Sequence, residues 1–258
     1  MNLNLRELKS VLVGMSVDRP NQSMQGTLSG HAAGEPFEKL VYRYLKNIAP
    51  EAIFKQYEYL NDLYLRHPQH ITLEQKRQLF DSPTALFLLS RGDNATRAWT
   101  PSTVFEEKQN DTADILYHSE GQYQLIDVKT RNVDKRAQAP NIISAYKLAQ
   151  ACALILDNEE YDNIKLSYIE IDWIASGERL VCQDVHVAEL FLAPPDSLCI
   201  NWAAAMQIQF HVLELEQTFS GSMEAWAKAY LRAFVESARS RAQSMIDRFV
   251  TPYLKYIE

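Results

Sequence analysis

The sequence predicts an α/β fold with a mixed central β-sheet flanked by helices. Two segments rich in Ile, Leu, Val and Tyr, residues 111–118 and 122–131, lie on either side of Ser119-Glu-Gly121 and predict a β-hairpin. Residues 165–173 alternate between apolar and polar and predict a further strand, while other segments carry apolar residues at helical spacing. The chain has 258 residues, 47% of them hydrophobic, so residues 1–258 are predicted to bury one core and form one domain.

The helices are predicted from apolar spacing and from residues typical of helix starts. After a short N-terminal helix, residues 14–34 are rich in Ser, Asn, Gly and Pro and predict a long loop. Pro36 is expected to open the next helix in its first turn, because proline is favoured there. Thr72 is expected to cap a helix that follows it. Further helices are predicted over residues 142–156 and 222–253, and residues 83–99 are ambiguous.

The strand at residues 165–173 carries a second pair of acids. Alternation places Glu170 and Asp172 on one face and Ile169, Ile171 and Trp173 on the other. No lysine accompanies the two acids, so a solvated outer face is expected for them. Two later segments are also predicted as regular structure: residues 207–215 as a strand, and residues 181–192 as a strand or a helix.

The register of the hairpin brings two carboxylates together. If the turn centres on Glu120, residues whose numbers sum to about 241 face each other, and Asp114 lies opposite Asp127. Facing residues have Cβ atoms roughly 5 Å apart, which is close for two like charges. Alternation also places Lys129 on the same face as Asp127. One face of the hairpin is therefore expected to carry two acids and an ammonium group.

A cation is expected between two carboxylates held this close. A small number of oxygen ligands, with positions open for water and phosphate, is typical of Mg²⁺. Lys129 could hold a phosphate oxygen or orient an attacking water, so the set suits hydrolysis of phosphodiesters. The pattern Asp/Glu-x-Lys occurs four times, but only Asp127-Val-Lys129 has a predicted strand around it and a second acid in register. The alternative is a half-exposed hairpin with solvated charges.

The spacing Asp114…Asp127-Val-Lys129 resembles the catalytic core of the PD-(D/E)xK nucleases, and the whole sequence resembles the type II restriction endonucleases among them. The family motif has a proline before the first aspartate, where this chain has Ala113. The resemblance implies a restriction-endonuclease-like core, Mg²⁺-dependent cleavage of double-stranded DNA and a homodimer. It also implies a cut to blunt ends at the centre of GTPyPuAC. A central pyrimidine–purine step unstacks easily, which favours readout by DNA deformability.

Two loops after the hairpin carry amides suited to DNA contacts. In Ala137-Gln-Ala-Pro-Asn141, Gln and Asn are the side chains that pair with adenine edges, and small residues such as Ala139 allow close approach. The resemblance implies that this loop faces DNA, with Asn141 near base edges and Gln138 pressing into the base stack. Asn201, among small residues of a later loop, is a second candidate. A polar turn is the alternative in both places.

Two further residues are candidates for supporting roles. Arg131 belongs to the basic strip of residues 129–136, which has four cations and one acid and could follow a phosphate backbone. An ordinary solvated loop is the alternative. Glu38 borders the apolar side of the helix after Pro36, and the resemblance implies an outer-shell position near the metal. A first-turn acid favoured by the helix dipole is the alternative.

Composition limits the other classes of function. The net charge of −7 gives no overall basic footprint for nucleic acid, so the local basic strip must supply it. Three widely spaced cysteines indicate reduced thiols, and the first residues lack a signal peptide, so a cytoplasmic location is expected. No apolar run is long enough to span a membrane. The absence of GxxxxGK[ST] and GxGxxG patterns argues against a nucleotide cofactor.

Two other functions fit the same residues. A non-catalytic DNA-binding module could use the basic strip and the amide loop, and it would act without metal. A structure-specific repair or junction nuclease could use the same acids on distorted DNA, because loops decide substrate choice while the acids decide only the reaction.

Overall fold

A computed structural model describes residues 3–20, 30–108, 111–136 and 138–257, with side chains described for all of these except residues 30–33. The predicted mixed sheet is confirmed: six strands run in the order β1-β7-β6-β4-β3-β2, with β4 and β6 parallel and the other neighbours antiparallel. A small second sheet has the order β5-β9-β8. The strands are β1 Ser16–Asp18, β2 Ile53–Phe54, β3 Ile115–Ser119, β4 Gln122–Asn132, β5 Asn141–Ser144, β6 Ile164–Ser176, β7 Arg179–Glu189, β8 Ile200–Asn201 and β9 Gln207–Gln209.

The helices cover both faces of the large sheet, as predicted. One face packs on α2 through Phe37, Val41 and Leu45, and the other packs on α7 and α8 through residues such as Leu148 and Trp226. No described helix has the length and apolar character needed to cross a bilayer. The helices are α1 Leu8–Leu12, α2 Gly30–Ile48, α3 Gln56–Leu65, α4 Leu73–Arg77, α5 Pro83–Leu89, α6 Asn94–Ala98, α7 Ala145–Asp157, α8 Met223–Phe249 and α9 Thr251–Leu254, with short 3₁₀ turns at Leu5–Glu7, Leu190–Leu192, Pro195–Ser197 and Val212–Glu214.

The start of α2 differs from the expectation. Pro36 lies inside the helix, which begins at Gly30, and residues 16–18 of the expected loop form β1. A proline within a helix forfeits one backbone hydrogen bond. Burial of Phe37, Val41 and Leu45 against the sheet offsets that loss. The rest of the expected loop, residues 21–29, lies outside the described residues.

Several other boundaries are settled by the structure. The ambiguous residues 83–99 contain α5 and α6, and Thr72 caps α4 by accepting a hydrogen bond from the Gln75 backbone N–H. The helix predicted from residue 142 begins at Ala145, because residues 141–144 pair with β9. The segment 181–192 contains strand β7, and residues 207–215 contain the short β9 followed by a 3₁₀ turn.

The hairpin of β3 and β4 has the predicted register. Ile115 pairs with Ile126 and Ser119 pairs with Gln122, so one further step along β3 places Asp114 opposite Asp127. The two turn residues, Glu120 and Gly121, have φ values of 51° and 73°. Positive φ at both positions is the type I′ turn, which matches the twist of paired strands. The turn chemistry therefore fixes which side chains meet at the far end of the hairpin.

We expect Gly121→Ala to lower the free energy of unfolding by about 1 kcal/mol, because positive φ is costly for a residue with a Cβ atom. The added Cβ would lie 3.4 Å from Asp81 Oδ2, an ordinary contact, so the loss is conformational. Denaturant unfolding measures it. Gly34→Ala in helix α2 is the matched control, and we expect it to stabilise the protein. Equal stability of Gly121→Ala and the parent protein would contradict the turn assignment.

Candidate active site

The acids of the hairpin meet where β4 leaves the apolar core. Ile126 and Val128 point into the core beneath α2, and Asp127 and Lys129 point to the opposite face, as predicted. That opposite face is not polar throughout, since Tyr123 and Leu125 of the same strand are buried in the second core. The polar group is therefore confined to the last half of β4.

Asp114, Asp127 and Lys129 form one hydrogen-bonded group. Asp114 Oδ2 accepts a hydrogen bond of 2.7 Å from the Val128 backbone N–H, which fixes the carboxyl group against β4. Lys129 Nζ lies 2.8 Å from Asp127 Oδ1 and 2.8 Å from Oδ2. The three side chains line the same cleft, whose volume is about 370 Å³. The predicted juxtaposition of two acids and an ammonium is present.

The pKa values of this group show how strongly the acids interact. Burial, and then the charge of Asp127 and a hydrogen bond with it, raise the pKa of Asp114 from 3.8 to about 8. Burial lowers the pKa of Lys129, but the charges of Asp127 and Asp114 outweigh it and the net shift is upward. A proton therefore occupies the carboxyl pair at neutral pH, and the lysine is charged. A cation of higher charge would relieve the same repulsion.

The donor set fits a hard divalent metal. Two carboxylates supply oxygen ligands, and the open cleft leaves room for water and phosphate, as Mg²⁺ requires. Within the described residues, no cluster of three or more His, Cys, Asp or Glu side chains could hold a metal. A closed zinc or calcium cage is therefore not the type of site formed by these residues.

We expect the metal-free protein to lose stability as pH rises from about 4 to about 8. The folded state retains the Asp114 proton that the unfolded chain releases, so the free energy of unfolding falls by up to about 1.4 kcal/mol per pH unit and levels off above the folded pKa. Thermal unfolding in chelator across this range measures the trend. Asp114→Asn should lack this contribution, and identical pH profiles of the two proteins would contradict the raised pKa.

Glu38 lies close to the acid pair, where sequence reasoning also placed it. Burial is the largest cause of its raised pKa, and the charge of Asp114 is the second. The Glu38 carboxylate pairs with Lys55 Nζ, which lies 3.5 Å from Glu107 Oε1. Sequence reasoning missed Lys55, because it stands just before α3 in a segment with no motif. Its buried ammonium adds a second positive charge beside the site.

The rival acid pair on β6 differs from the expectation. Glu170 and Asp172 were expected on a solvated face, but both are buried. Glu170 accepts hydrogen bonds of 2.7 Å from His211 Nδ1 and 2.7 Å from the Val212 backbone N–H. The prediction failed because β6 lies inside the sheet, with a 3₁₀ turn covering this face, so the acids acquire buried partners.

Arg131, a DNA-contact candidate, is ion-paired in the structure. Its Nε lies 2.7 Å from Asp172 Oδ1, and its Nη2 also contacts that carboxylate. His186 Nε2 approaches the same carboxylate at 3.2 Å. The guanidinium is therefore held beside β6 by a buried acid, and Arg131 lies two residues after Lys129 on β4. The ion pair with Asp172 fixes the orientation of the Arg131 side chain.

The two amide loops meet through the small sheet. Gln209 Nε2 donates a hydrogen bond of 2.7 Å to Asn141 Oδ1, and Asn201 Nδ2 donates one of 2.8 Å to Gln209 Oε1. Sequence reasoning named Asn141 and Asn201 separately and missed Gln209. Strands β5, β8 and β9 are too short for the sequence to predict that they pair. Asn141 and Gln138 are exposed and Ala139 is half-buried, while Ala137 lies outside the described residues. Asn141 thus borders both the loop and the cleft that holds Asp114, Asp127 and Lys129.

Comparison with known proteins shows the family to which the chain belongs. Residues 8–257 match the family described as restriction endonuclease HincII. The chain is 58% identical to the type II restriction enzymes HindII and HincII of Haemophilus influenzae, in each case over 98% of this chain and 96% of the relative. Among solved structures, the NlaIV restriction endonuclease aligns with 94% of this chain and 91% of its own, at 9% identity and a TM-score of 0.39. The extent of the family match and the 58% identity establish that the chain belongs to the restriction endonuclease HincII family of type II, site-specific DNA-cleaving enzymes.

Proposed function

We propose that this protein cuts double-stranded DNA as a Mg²⁺-dependent homodimer at GTPyPuAC, leaving blunt ends. Type II restriction endonucleases generally use divalent metal ions. The observation that carries the choice of Mg²⁺ is the pair Asp114 and Asp127, two half-buried carboxyl groups at one open cleft with Lys129 beside them. The site offers few protein oxygen ligands and is open to solvent. These features favour Mg²⁺, which keeps several water ligands, over Ca²⁺, which takes six to eight oxygen ligands.

Each side chain of the cleft has a proposed role that follows from its position. Asp114 and Asp127 would hold the metal, which supplies Lewis acidity toward the phosphodiester when bound. The backbone N–H of Val128, a residue of strand β4, donates a hydrogen bond to Asp114 and keeps its carboxyl group oriented. Lys129, charged and 2.8 Å from Asp127, is placed to hold a phosphate oxygen or to orient the attacking water. Glu38 supports the site from outside through its pair with Lys55.

The residues proposed to face DNA lie on the small sheet and next to the cleft. Asn141 is the proposed base-reading amide, and Gln209 fixes it by occupying its Oδ1, so that Nδ2 is the group left to donate toward a base edge. Gln138 and Ala139 precede it on the same loop, with Gln138 proposed to press into the base stack. Asn201 supports this arrangement through Gln209, and Arg131 is proposed to contact phosphate from its fixed position.

The homodimer is proposed from the end of the chain. From residue 239 to residue 257, every described residue of α8, α9 and the final turn is exposed. An isolated helix has little stability in water, so an arm of this length calls for a partner. A second copy fits, because a two-fold symmetric DNA site cut in both strands needs two related active sites. The arm exposes large apolar side chains at Val235, Met245, Ile246, Phe249, Val250, Tyr253, Leu254, Tyr256 and Ile257.

Digestion of a plasmid of known sequence tests the proposed function. Purified protein is incubated with the plasmid in Mg²⁺ and in chelator, and the product ends are sequenced. We expect discrete fragments only with Mg²⁺, each ending bluntly between the central pyrimidine and purine of GTPyPuAC. Fragments with other ends would overturn the recognition site, and cleavage in chelator would overturn the metal requirement.

A further inference from the structure

Lys147 is a cation in the catalytic cleft that the proposed function does not use. It is the third residue of α7, and its side chain lines the same cleft as Asp114, Asp127 and Lys129. Its Nζ donates a hydrogen bond of 2.6 Å to Thr112 Oγ1, two residues before Asp114. The ammonium is therefore anchored to the segment that carries the first catalytic acid.

Lys147 differs from the other lysines beside the acids. Lys129 pairs with Asp127, and Lys55 pairs with Glu38. Among the described residues, no carboxylate lies within ion-pair distance of Lys147. Burial lowers its pKa, and the charge of Asp111 only partly opposes this. Asp111 itself is held by Arg91, through Nε at 2.6 Å and Nη2 at 2.8 Å.

Lys147 is half-buried, and an ammonium partly removed from water without a counter-ion costs free energy that an arriving anion recovers. An ammonium has three N–H donors, and the Thr112 contact uses one of them. The anion that the cleft receives, according to the proposed function, is the DNA backbone. Its approach is opposed by the two acids, so a free cation on the same cleft is favourable to binding.

We propose that Lys147 binds a non-bridging oxygen of the phosphate next to the scissile phosphate. We assign Lys147 to the phosphate next to the scissile one because its ammonium is hydrogen-bonded to Thr112, two residues away from the acid Asp114. Two residues of chain span at most about 7 Å, a separation on the order of one nucleotide step. This inference rests on the proposed DNA-cleaving function and assigns a substrate contact within it. Lys147 is thus a positioning residue that holds the strand in register with the acids.

Equilibrium binding to duplex DNA containing GTPyPuAC, with Ca²⁺ in place of Mg²⁺, tests the contact in Lys147→Met. We expect affinity to fall roughly tenfold or more at low salt, and the slope of log K against log salt to fall by about two for two subunits. Lys147→Arg keeps the charge and should retain most of the affinity. Lys165→Met is the matched control: it removes the same charge at the start of β6, beside the turn end of the hairpin, and should change neither quantity.

Neutral methylphosphonate linkages locate the phosphate. Placed one at a time around the cut, a single linkage next to the scissile one should weaken binding by the parent protein and have no effect on Lys147→Met. Unchanged affinity of Lys147→Met, an unchanged salt slope, or an equal response of both proteins at every linkage would overturn the inference. Failure of the parent protein to bind or cut the site would instead refute the proposed function.

The thermal stability of Lys147→Met distinguishes a DNA contact of Lys147 from a purely structural role. Removing a half-buried charge that has no counter-ion should leave the melting temperature of Lys147→Met equal to that of the parent protein or above it, in the absence of DNA. A lower melting temperature together with wild-type DNA affinity would show a structural lysine and contradict the proposal. If Lys147→Met does not fold, Lys147→Gln, which can still donate to Thr112, takes its place in the same linkage scan.

Discussion

Asp127→Asn should reduce the rate of DNA cleavage in Mg²⁺ by at least about a thousandfold. The substitution removes one of the two carboxylates proposed to hold the metal, so several kcal/mol of transition-state stabilisation should be lost with it. The fold should be retained, because the substitution relieves the repulsion between Asp127 and Asp114 while it removes the ion pair of Asp127 with Lys129. Single-turnover cleavage of a duplex containing GTPyPuAC measures the rate, and thermal unfolding measures stability.

Asp157→Asn is the matched control for this substitution. Asp157 is an exposed acid at the end of α7, and its loss should leave the cleavage rate unchanged. Cleavage by Asp127→Asn within a few fold of the parent protein would remove Asp127 from the site. A loss of activity with a collapsed melting temperature would show instead that Asp127 serves folding.

Phe249→Asp should convert the proposed dimer to monomers and abolish cleavage of both strands at one site. Phe249 is exposed on the arm formed by α8 and α9, and two-fold symmetry places the substitution in the interface twice. A buried unpaired charge costs several kcal/mol, so the dimer dissociation constant should rise by at least about a hundredfold. Light scattering coupled to size-exclusion chromatography gives the mass, and plasmid digestion gives the activity.

Ser240→Asp adds the same charge to the same helix on the side away from Phe249, and it should remain a dimer with full activity. A dimer of Phe249→Asp with normal cleavage would show that the arm is not the interface. Monomers with normal double-strand cleavage would contradict the requirement for two symmetric sites.

The hairpin was predictable because its information is local. The turn around Gly121 and the alternation of Ile126, Asp127 and Val128 fix the register, and the register alone places Asp114 against Asp127. The cap at Thr72 is equally local, since its side chain accepts a hydrogen bond from the Gln75 backbone N–H three residues ahead. Such features need no knowledge of the rest of the chain.

The parts that sequence reasoning missed depend on contacts between distant segments. Glu170 is buried because His211 and Val212, about forty residues later, supply its partners. The small sheet joins Asn141 to Gln209 through strands too short to have a pattern of their own. Lys55 and Lys147 carry no motif, and only the folded chain brings them to the acids. Long-range partners of this kind are not encoded in local periodicity.

The most direct test of the central claim is to locate the metal. Anomalous scattering from crystals grown with Mn²⁺, a stand-in for Mg²⁺ whose signal is strong, should show an ion bound by carboxylate oxygens of both Asp114 and Asp127, and no ion there in crystals of Asp127→Asn. An ion bound elsewhere, with the two carboxylates still joined to each other, would contradict the assignment of this pair as the metal site.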